Sequence, residues 1–302
     1  MFTDPMAYNT GPQGWHAIAY RVGVDGGGTG TRVRMLHADG RLLGEGHSGP
    51  SGLTQGIDQA WTHIRLAIVT AIQASNLAGL ELPVPGNTAL GLGLAGANNP
   101  QLHRQFVLAN PGYRRLELES DAYTSLLGAH GGRPGAMLAM GTGSVGLARH
   151  ADGRRVGVGG WGFPSGDDGS GAVLGLRALN LAQRVLDGML PAGPLADAVI
   201  AATGSTPQAV LEWSCSAGQH RFATLAPLIF DCAERDPQAA ALLDYAINTM
   251  EDMARALDPD RLLPLAVLGS LGKRLAPLLS AETRQRMVPP QGNAIDGALT
   301  LC

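Results

Sequence analysis

The sequence predicts an α/β protein with two related lobes, and three observations support that prediction. The chain has 302 residues, which is more than one hydrophobic core ordinarily holds. Short apolar segments typical of strands alternate with longer segments whose apolar residues recur at helical spacing. A glycine-rich loop occurs twice in the chain, and each time the same hairpin sequence follows it.

Composition and charge exclude several classes of protein. Hydrophobic residues make up 45% of the chain and charged residues 16%, as in soluble globular proteins. A net charge of −3 gives no basic excess for binding nucleic acid or a membrane surface. The 3 cysteines are widely spaced and the 8 histidines show no zinc-ligand spacing. We therefore expect free thiols in a cytoplasmic protein, with neither nucleic acid nor membrane as a partner.

The start of the chain predicts no targeting segment. Residues 1–19 lack the basic and apolar segments of a signal peptide, and we expect a disordered leader there. The expected N-terminal lobe spans residues 20–125, and the expected C-terminal lobe spans residues 126–302. The last helix is expected to pack back on the N-terminal lobe.

The first lobe is predicted to begin with strands. Ala19–Val24 is a short apolar run, and Asp39-Gly40 between two further apolar runs is typical of a β-hairpin. The next predicted element is a helix over Ile57–Ala74, where apolar residues recur at helical spacing. The remaining predicted elements are a strand at Thr88–Leu94, a helix at Gln101–Ala109, a strand at Arg115–Glu119 and a helix at Ala122–His130.

The second lobe is predicted to have fewer strands and more helices. A strand over Ala136–Met140 leads into the loop Gly141–Ser144, and a long helix is predicted over Ser170–Leu190. The later predictions are mostly helical structure from Pro191 to Leu263, a strand at Leu265–Leu268, a helix from Lys273 and a final helix over Ala294–Leu301.

An internal repeat connects the two lobes. The pentapeptide HADGR occupies His37–Arg41, beginning 8 residues after Thr29, and His150–Arg154, beginning 8 residues after Thr142. The shared loop, spacing and hairpin predict two copies of one unit, namely strand, Gly-Thr-Gly turn, strand, Asp-Gly hairpin and strand. Coincidence between two common glycine-rich hairpins is the alternative.

The first glycine-rich loop fits neither of the two common nucleotide-binding motifs. Asp25–Thr31 lacks the lysine of a P-loop, and Arg32–Leu36 alternates like a strand where a Rossmann loop would start a helix. Backbone N–H groups in a tight turn can still bind phosphate without lysine, and glycine allows close approach. Two such turns that face each other across a cleft would hold one polyphosphate from both sides.

Several segments together resemble the sugar kinase and actin superfamily. The segments that carry the resemblance are Asp25–Thr29 (DGGGT), Ser120–His130 (SDAYTSLLGAH), Met140–Gly146 (MGTGSVG), Val158–Arg177 (VGGWGFPSGDDGSGAVLGLR), Val267–Ser270 (VLGS) and Ala294–Leu299 (AIDGAL). Within that superfamily the chain resembles the BadF/BadG/BcrA/BcrD ATPase group, which includes hexosamine kinases. The resemblance implies a two-lobed, actin-like ATPase fold of duplicated, ribonuclease H-like domains with a cleft between them.

The resemblance also implies an activity and its cofactors. It implies ATP-dependent phosphorylation of an amino sugar at the 6-hydroxyl, carried out by a homodimer. It also implies that Asp25 holds Mg²⁺. The alternative role for Asp25 is to cap the turn. The residues implied for the phosphates are Gly27, Gly28, Thr29, Gly141, Thr142 and Gly143, and those implied for the adenosine are Gly269 and Ser270. Lys273 either reaches the nucleotide or lies on the surface.

The resemblance assigns the sugar site to two segments. Asp121 is the expected catalytic base, which accepts the sugar hydroxyl proton, although Asp at this point also suits a helix N-cap. The implied sugar contacts are Asp121, Gly160, Trp161, Gly162 and Asp167. A core position is the alternative for Trp161, and a helix-dipole charge is the alternative for Asp168.

Two departures from the family pattern bear on the substrate. N-acetylglucosamine kinases carry an Asn in the region that corresponds to Ser48–Gln55, and this chain has no Asn there. They carry another Asn directly after GTGS, where this chain has Val145. Both differences favour the free amine of glucosamine, with N-acetylglucosamine as the alternative substrate.

Two other functions belong to different classes. An activator ATPase of a dehydratase or reductase would hold an iron–sulfur cluster, but Cys215 and Cys232 lie outside the phosphate loops. A sugar-responsive regulator would add a DNA-binding helix-turn-helix, for which the expected leader is too short.

Overall fold

The computed structural model describes residues 17–75 and 77–302. They form two compact units, one of residues 17–118 with Leu301 and Cys302, the other of Glu119–Thr300. Over these ranges, no helix is both long and apolar enough to cross a membrane. Of the expected leader, residues 1–16 lie outside the described residues. The expected lobe boundary between residues 125 and 126 stays a prediction.

The first unit is built on one sheet. Its elements are β1 (Tyr20–Gly26), β2 (Thr31–His37), β3 (Leu42–Ser48), α1 (Ile57–Gln73), β4 (Thr88–Leu94), α2 (Pro100–Leu108) and β5 (Arg115–Glu119). The strands lie in the order β3-β2-β1-β4-β5, with β1 antiparallel to β2 and parallel to β4. Helix α1 packs on β2 and β3, and its Trp61 ring stacks on Phe106 of α2 at 4.3 Å.

The second unit repeats that arrangement and adds helices. Its elements are α3 (Asp121–Ala129), β6 (Gly135–Met140), β7 (Ser144–Arg149), β8 (Arg155–Gly159), α4 (Gly171–Leu186), α5 (Pro194–Thr203), α6 (Pro207–Ser216), α7 (Gln219–Ala223), α8 (Ala226–Cys232), α9 (Pro237–Leu257), β9 (Leu265–Leu268), α10 (Ser270–Leu275), α11 (Ala281–Gln285) and α12 (Ala294–Leu299). The strands lie in the order β8-β7-β6-β9, with β6 antiparallel to β7 and parallel to β9.

The two HADGR hairpins have the same geometry. In His37–Arg41 and in His150–Arg154, the His amide donates to the Arg carbonyl at 2.9 Å, and the Asp carboxylate accepts from the Arg amide at 2.9 Å. The glycine adopts a left-handed conformation in both, with φ of +92° and +86°. Strand order and hairpin geometry therefore agree that β1–β3 and β6–β8 are two copies of one unit.

Two helix boundaries differ from the sequence prediction by three residues or more, and the others by one or two. Helix α4 ends at Leu186 rather than Leu190, because Gly188 turns the chain at φ +69° and the Met189 amide bonds back to the Arg184 carbonyl at 2.8 Å. Helix α10 begins at Ser270, three residues before the predicted start at Lys273.

Helices α3 and α12 approach each other through glycines. A Cβ atom on Gly128 of α3 would overlap the Asn293 carbonyl oxygen, and one on Gly297 of α12 would overlap the Thr124 carbonyl oxygen. The two backbones are therefore in direct contact, which places α12 as the support of the helix that begins with Asp121.

This contact gives a stability prediction with an unusual sign. Gly to Ala normally stabilises a helix, but we expect Gly128→Ala to lower the free energy of unfolding by about 1–3 kcal/mol, because the methyl group forces α12 away. The midpoint of urea denaturation, followed by circular dichroism, measures the change. Gly86→Ala is the matched control, since nothing lies within 4 Å of its added Cβ. A Gly128→Ala midpoint equal to or above that of the unmodified protein contradicts the packing described here.

Candidate active site

The turn between β1 and β2 leaves two backbone donors unused. The Gly27 amide closes the turn on the Gly30 carbonyl at 3.0 Å, and the Gly27 carbonyl accepts from Ser51 and Gly52, both at 3.1 Å. In the described part of the chain, the N–H groups at positions 28 and 29 donate to no protein acceptor. Adjacent free N–H groups form a site that attracts an anion.

The segment after β3 supports this turn. The Thr31 hydroxyl donates to the Gly49 carbonyl at 2.6 Å, and its oxygen forms a second hydrogen bond with the Ser51 hydroxyl at 2.7 Å. The Gln55 side-chain amide donates to the Gly28 carbonyl at 3.1 Å. The segment from Ser48 to Gln55 therefore holds the turn between β1 and β2 in place.

Asp25 lies in β1 immediately before the turn. Its carboxylate pairs with the guanidinium of Arg32, the residue opposite it on β2. The Asp25 side chain is 16% exposed, whereas that of Arg32 is 63% exposed. The carboxylate is thus held beside the turn, with one positive partner that can swing into solvent.

The turn between β6 and β7 also leaves two backbone N–H groups without a protein acceptor, like the turn between β1 and β2. The Gly141 amide closes the turn on the Gly143 carbonyl at 2.9 Å. The carbonyls of Gly141 and Thr142 accept from the first turn of α4, through Gly171 at 2.8 Å and Ala172 at 3.1 Å. The amides of Thr142 and Gly143 have no protein acceptor among the described residues, so this turn also presents two adjacent donors.

The second turn opens into a cavity of about 300 Å³, here called the Thr142 cavity. The structure brings Thr142 and Ser270 together in its wall, as the sequence predicted for the phosphate and adenosine ends of one ligand. Gly269 precedes α10 with φ +85°, and Lys273 is exposed while its neighbour Arg274 lines the cavity. The lining residues are Gly141, Thr142, Gly171, His220, Ala223, Thr224, Ala226, Pro227, Phe230, Ser270, Leu271 and Arg274.

The loop from Gly159 to Asp168 has two sides. On one side Gly160 touches Val145, since a Cβ on Gly160 would lie 3.1 Å from Val145 Cγ2. On the other side Trp161 and Asp167 line a cavity of about 630 Å³ against α9, here called the Tyr245 cavity. Of the predicted sugar contacts, Asp121, Gly160 and Gly162 are not among the described residues that line it. Trp161 is 85% exposed, which excludes the alternative of a core position.

Asp167 is the most constrained residue of this loop. It is 6% exposed, and its φ of +60° is uncommon for a residue other than glycine. Its Oδ1 accepts from the Gly162 amide at 3.3 Å, and its Oδ2 accepts from Gln219 Nε2 at 2.8 Å. A buried carboxylate with two donors is held in one orientation.

Asp168 ties the same loop to α9. Its carboxylate accepts from the Tyr245 hydroxyl at 2.7 Å, and its carbonyl accepts from the Ser144 hydroxyl at 2.7 Å. Burial, followed by the bond to Asp168, raises the pKa of Tyr245, so this hydroxyl stays protonated as a donor. The sequence suggested only a helix-dipole charge for Asp168 and gave no indication of this tie.

Asp121 is the first residue of α3, and it is not the helix cap. Ser120 caps the helix, because its hydroxyl accepts from the Tyr123 amide at 3.1 Å. The Asp121 side chain is partly exposed, and its Oδ1 accepts from the Ala122 amide at 2.9 Å. The N-cap alternative for Asp121 is therefore wrong, and its carboxylate is not needed for that role.

Comparison with known proteins identifies the family. The model of the BadF/BadG/BcrA/BcrD ATPase family matches residues 22–259. The chain belongs to this ATPase family. The resemblance read from the sequence is thereby confirmed, and with it the actin-like α/β fold class.

The proteins to which the chain is similar include sugar kinases. The chain is 34% identical over 281 residues to the glucosamine kinase GspK of Vibrio cholerae, covering 93% of this chain and 94% of that protein. It is 28% identical over 173 residues to an N-acetylmuramic acid/N-acetylglucosamine kinase of Clostridium acetobutylicum, covering 56% and 55% of the two chains. The crystal structure titled "Putative N-acetylglucosamine Kinase" from Chromobacterium violaceum has 46% identity and a TM-score of 0.84, covering 94% of this chain and 99% of that chain.

Sequence reasoning missed part of the wall of the Thr142 cavity. His220 comes from α7, Thr224 directly follows that helix, Phe230 comes from α8, and the Arg274 guanidinium lies 4.0 Å from the centre of the Phe230 ring. The cavity forms where α7, α8 and α10 meet, and of these only α10 begins within a family motif.

Proposed function

We propose that this member of the ATPase family is a hexosamine kinase that transfers the γ-phosphate of ATP to the 6-hydroxyl of glucosamine. The observation that carries the proposal is the second Gly-Thr turn, which has two adjacent free amides and whose Thr142 lines a cavity of nucleoside size. The near full-length similarity to a glucosamine kinase supports the choice of substrate.

The proposed nucleotide site uses backbone donors rather than a lysine. The free amides at positions 28, 29, 142 and 143 would bind phosphate oxygens, together with the hydroxyls of Thr29 and Thr142. The adenosine would occupy the Thr142 cavity, where Ser270 offers a hydroxyl and Phe230 with Arg274 an apolar and cationic wall. Gly27, Gly141 and Gly269 shape the backbone at these points.

Mg²⁺ suits Asp25 in this proposal. Mg²⁺ is usually held by one or two carboxylates with phosphate and water, and a single carboxylate beside a phosphate turn fits that pattern. When bound, the ion neutralises charge on the transferred phosphate. Asp25 would hold it through water, and Arg32 would then turn to solvent.

Asp121 is the proposed base. Because Ser120 satisfies the helix N-terminus, the Asp121 carboxylate can accept the proton of the sugar 6-hydroxyl. Phosphoryl transfer depends mainly on positioning and charge neutralisation, so the base chiefly orients the attacking oxygen. Gly160, Trp161, Gly162 and Asp167 would contact the sugar ring and its other hydroxyls.

An activator ATPase is the second candidate, and the structure disfavours it. The Cys232 side chain is 2% exposed within the apolar core of the second unit, while Cys215 is exposed on α6. A thiol enclosed by apolar side chains is poorly placed to ligate a cluster shared between subunits. We retain the homodimer and the cytoplasmic location as predictions.

A panel of sugars tests the proposed function. With ATP and Mg²⁺ we expect kcat/KM to be highest for glucosamine, lower for N-acetylglucosamine and lowest for glucose, measured by coupled detection of ADP. Identification of the product as a 6-phosphate by mass spectrometry and NMR completes the test. If none of these sugars raises the rate of ADP release, the kinase proposal is wrong.

Asp121→Asn tests the base. We expect the variant to fold normally and to lose about 10²–10⁴-fold in kcat, because the amide cannot accept the proton. Ser120→Ala is the matched control: we expect it to lose about 1 kcal/mol of stability with kcat retained, since only the helix cap is removed. A kcat near that of the unmodified enzyme in Asp121→Asn would refute the assignment.

Val145→Asn tests the choice between the two amino sugars. Its side chain lies against Gly160, so an amide there can hydrogen-bond the acetamido group of N-acetylglucosamine. We expect the kcat/KM ratio of N-acetylglucosamine to glucosamine to rise roughly 2- to 12-fold, the value of one net hydrogen bond. Leu147→Asn, two residues along the same strand face, should leave the ratio unchanged. An unchanged ratio in Val145→Asn removes Val145 from the list of specificity determinants.

A further inference from the structure

One hydrogen bond joins the loop of the proposed sugar contacts to a short helix of the Thr142 cavity. Gln219 is the first residue of α7, and its Nε2 donates to Asp167 Oδ2 at 2.8 Å across 52 residues of sequence. Asp167 belongs to the Gly159–Asp168 loop. No role is assigned to Gln219 by the proposed function.

The same helix forms a wall of the Thr142 cavity. His220 and Ala223 of α7, and Thr224 directly after it, line that cavity. A nucleoside in the cavity would therefore contact α7 directly. Because α7 has only five residues, a displacement at one end is transmitted to Gln219 at the other.

The Gln219–Asp167 pair also packs against the turn between β6 and β7. A Cβ added to Gly143 would lie 2.7 Å from Asp167 Oδ2 and 3.3 Å from Gln219 Nε2. The pair thus packs directly against the residue whose free amide is proposed to bind phosphate. Occupation of the turn by phosphate and occupation of the cavity by adenosine both act on this pair.

Asp167 depends on Gln219 for its orientation. Asp167 is 6% exposed, and Gln219 is the donor to Oδ2 in the described structure, while the longer bond from Gly162 serves Oδ1. Loss of the donor leaves a buried carboxylate oxygen unsatisfied, which is costly and is relieved by movement of the side chain. The backbone of Asp167 is already in the left-handed region, so the loop has a more relaxed conformation to move to.

We infer that Gln219 is a positioning residue that orients Asp167 toward the sugar and couples nucleotide binding to sugar binding. The inference rests on the proposed function, because it takes the Thr142 cavity as the nucleotide site and Asp167 as a sugar contact. Coupling of this kind is reciprocal. If ADP raises the affinity of the protein for glucosamine by some factor, glucosamine raises the affinity for ADP by the same factor.

Calorimetric titration of the unmodified protein and of Gln219→Ala tests the inference. The Kd of glucosamine is measured with and without saturating ADP and Mg²⁺. In the unmodified protein we expect ADP to lower this Kd by a factor in the usual range of about 5 to 150. In Gln219→Ala we expect that factor to fall to near 1, with the Kd of ADP alone unchanged. In turnover, KM for glucosamine should rise while KM for ATP stays the same.

Gln208→Ala is the matched control. Gln208 also sits near the start of a helix and donates to a carboxylate, Glu212, at 2.7 Å, but it lies on the surface away from both cavities. It should keep the coupling of the unmodified protein. Equal coupling in Gln219→Ala and Gln208→Ala overturns the inference while leaving the kinase proposal intact, and so does the absence of coupling in the unmodified protein.

Gln219→Glu provides a readout that a merely structural role would not give. A glutamate at the start of α7 suits the helix dipole, so the variant should fold, but two carboxylates then face each other. Like charge raises the pKa of one of them, so lowering the pH lets the pair share a proton and restores the hydrogen bond. We expect the increase in KM for glucosamine to be large at pH 8 and to diminish toward pH 5.5, relative to the unmodified enzyme. A defect independent of pH overturns the inference.

Discussion

The two Gly-Thr turns each leave a pair of adjacent backbone N–H groups without a protein acceptor, and the residues around them are arranged to maintain that state. Most carbonyl groups of the turns accept hydrogen bonds from the protein. The Gly27 carbonyl accepts from Ser51 and Gly52, and the carbonyls at 141 and 142 accept from the start of α4. Because these acceptors are already satisfied, the free N–H groups are the donors that remain for a ligand. A polyphosphate can then be bound without a lysine in the loop.

Most of the fold could be predicted because its strands are short, strongly apolar and bounded by turn residues. Thr88–Leu94, Arg115–Glu119 and Leu265–Leu268 were predicted with the bounds that the structure gives. The end of α4 could not be predicted, because Met189 and Leu190 continue the apolar period and only the φ of Gly188 ends the helix. Periodicity records which side chains can be buried, whereas a helix end depends on backbone conformation.

In the candidate site, too, some features could be predicted from local sequence and others depend on the folded backbone. The turns and the Gly159–Asp168 loop have recognisable sequences, because tight turns and left-handed backbone conformations demand glycine at fixed positions. The choice between Ser120 and Asp121 as the helix cap could not be made from sequence, since both types suit the position. The cavity wall from α7 and α8, and the bond from Gln219 to Asp167, arise only from tertiary packing between distant segments. Local sequence patterns therefore indicated the candidate residues, and tertiary packing determines how those residues are supported.

The contact between α3 and α12 has a consequence for the order in which the protein matures during synthesis. Helix α3 ends at Ala129, whereas α12, which packs backbone to backbone on it, begins at Ala294. At ribosomal rates of about 5–20 residues per second, the second helix emerges on the order of ten seconds after the first. Until then one face of α3 lacks its partner, so a nascent chain cannot hold Asp121 in its final place. The turn at Gly27–Gly30 is supported by residues close in sequence, so it can form before the C-terminal helix has been synthesised.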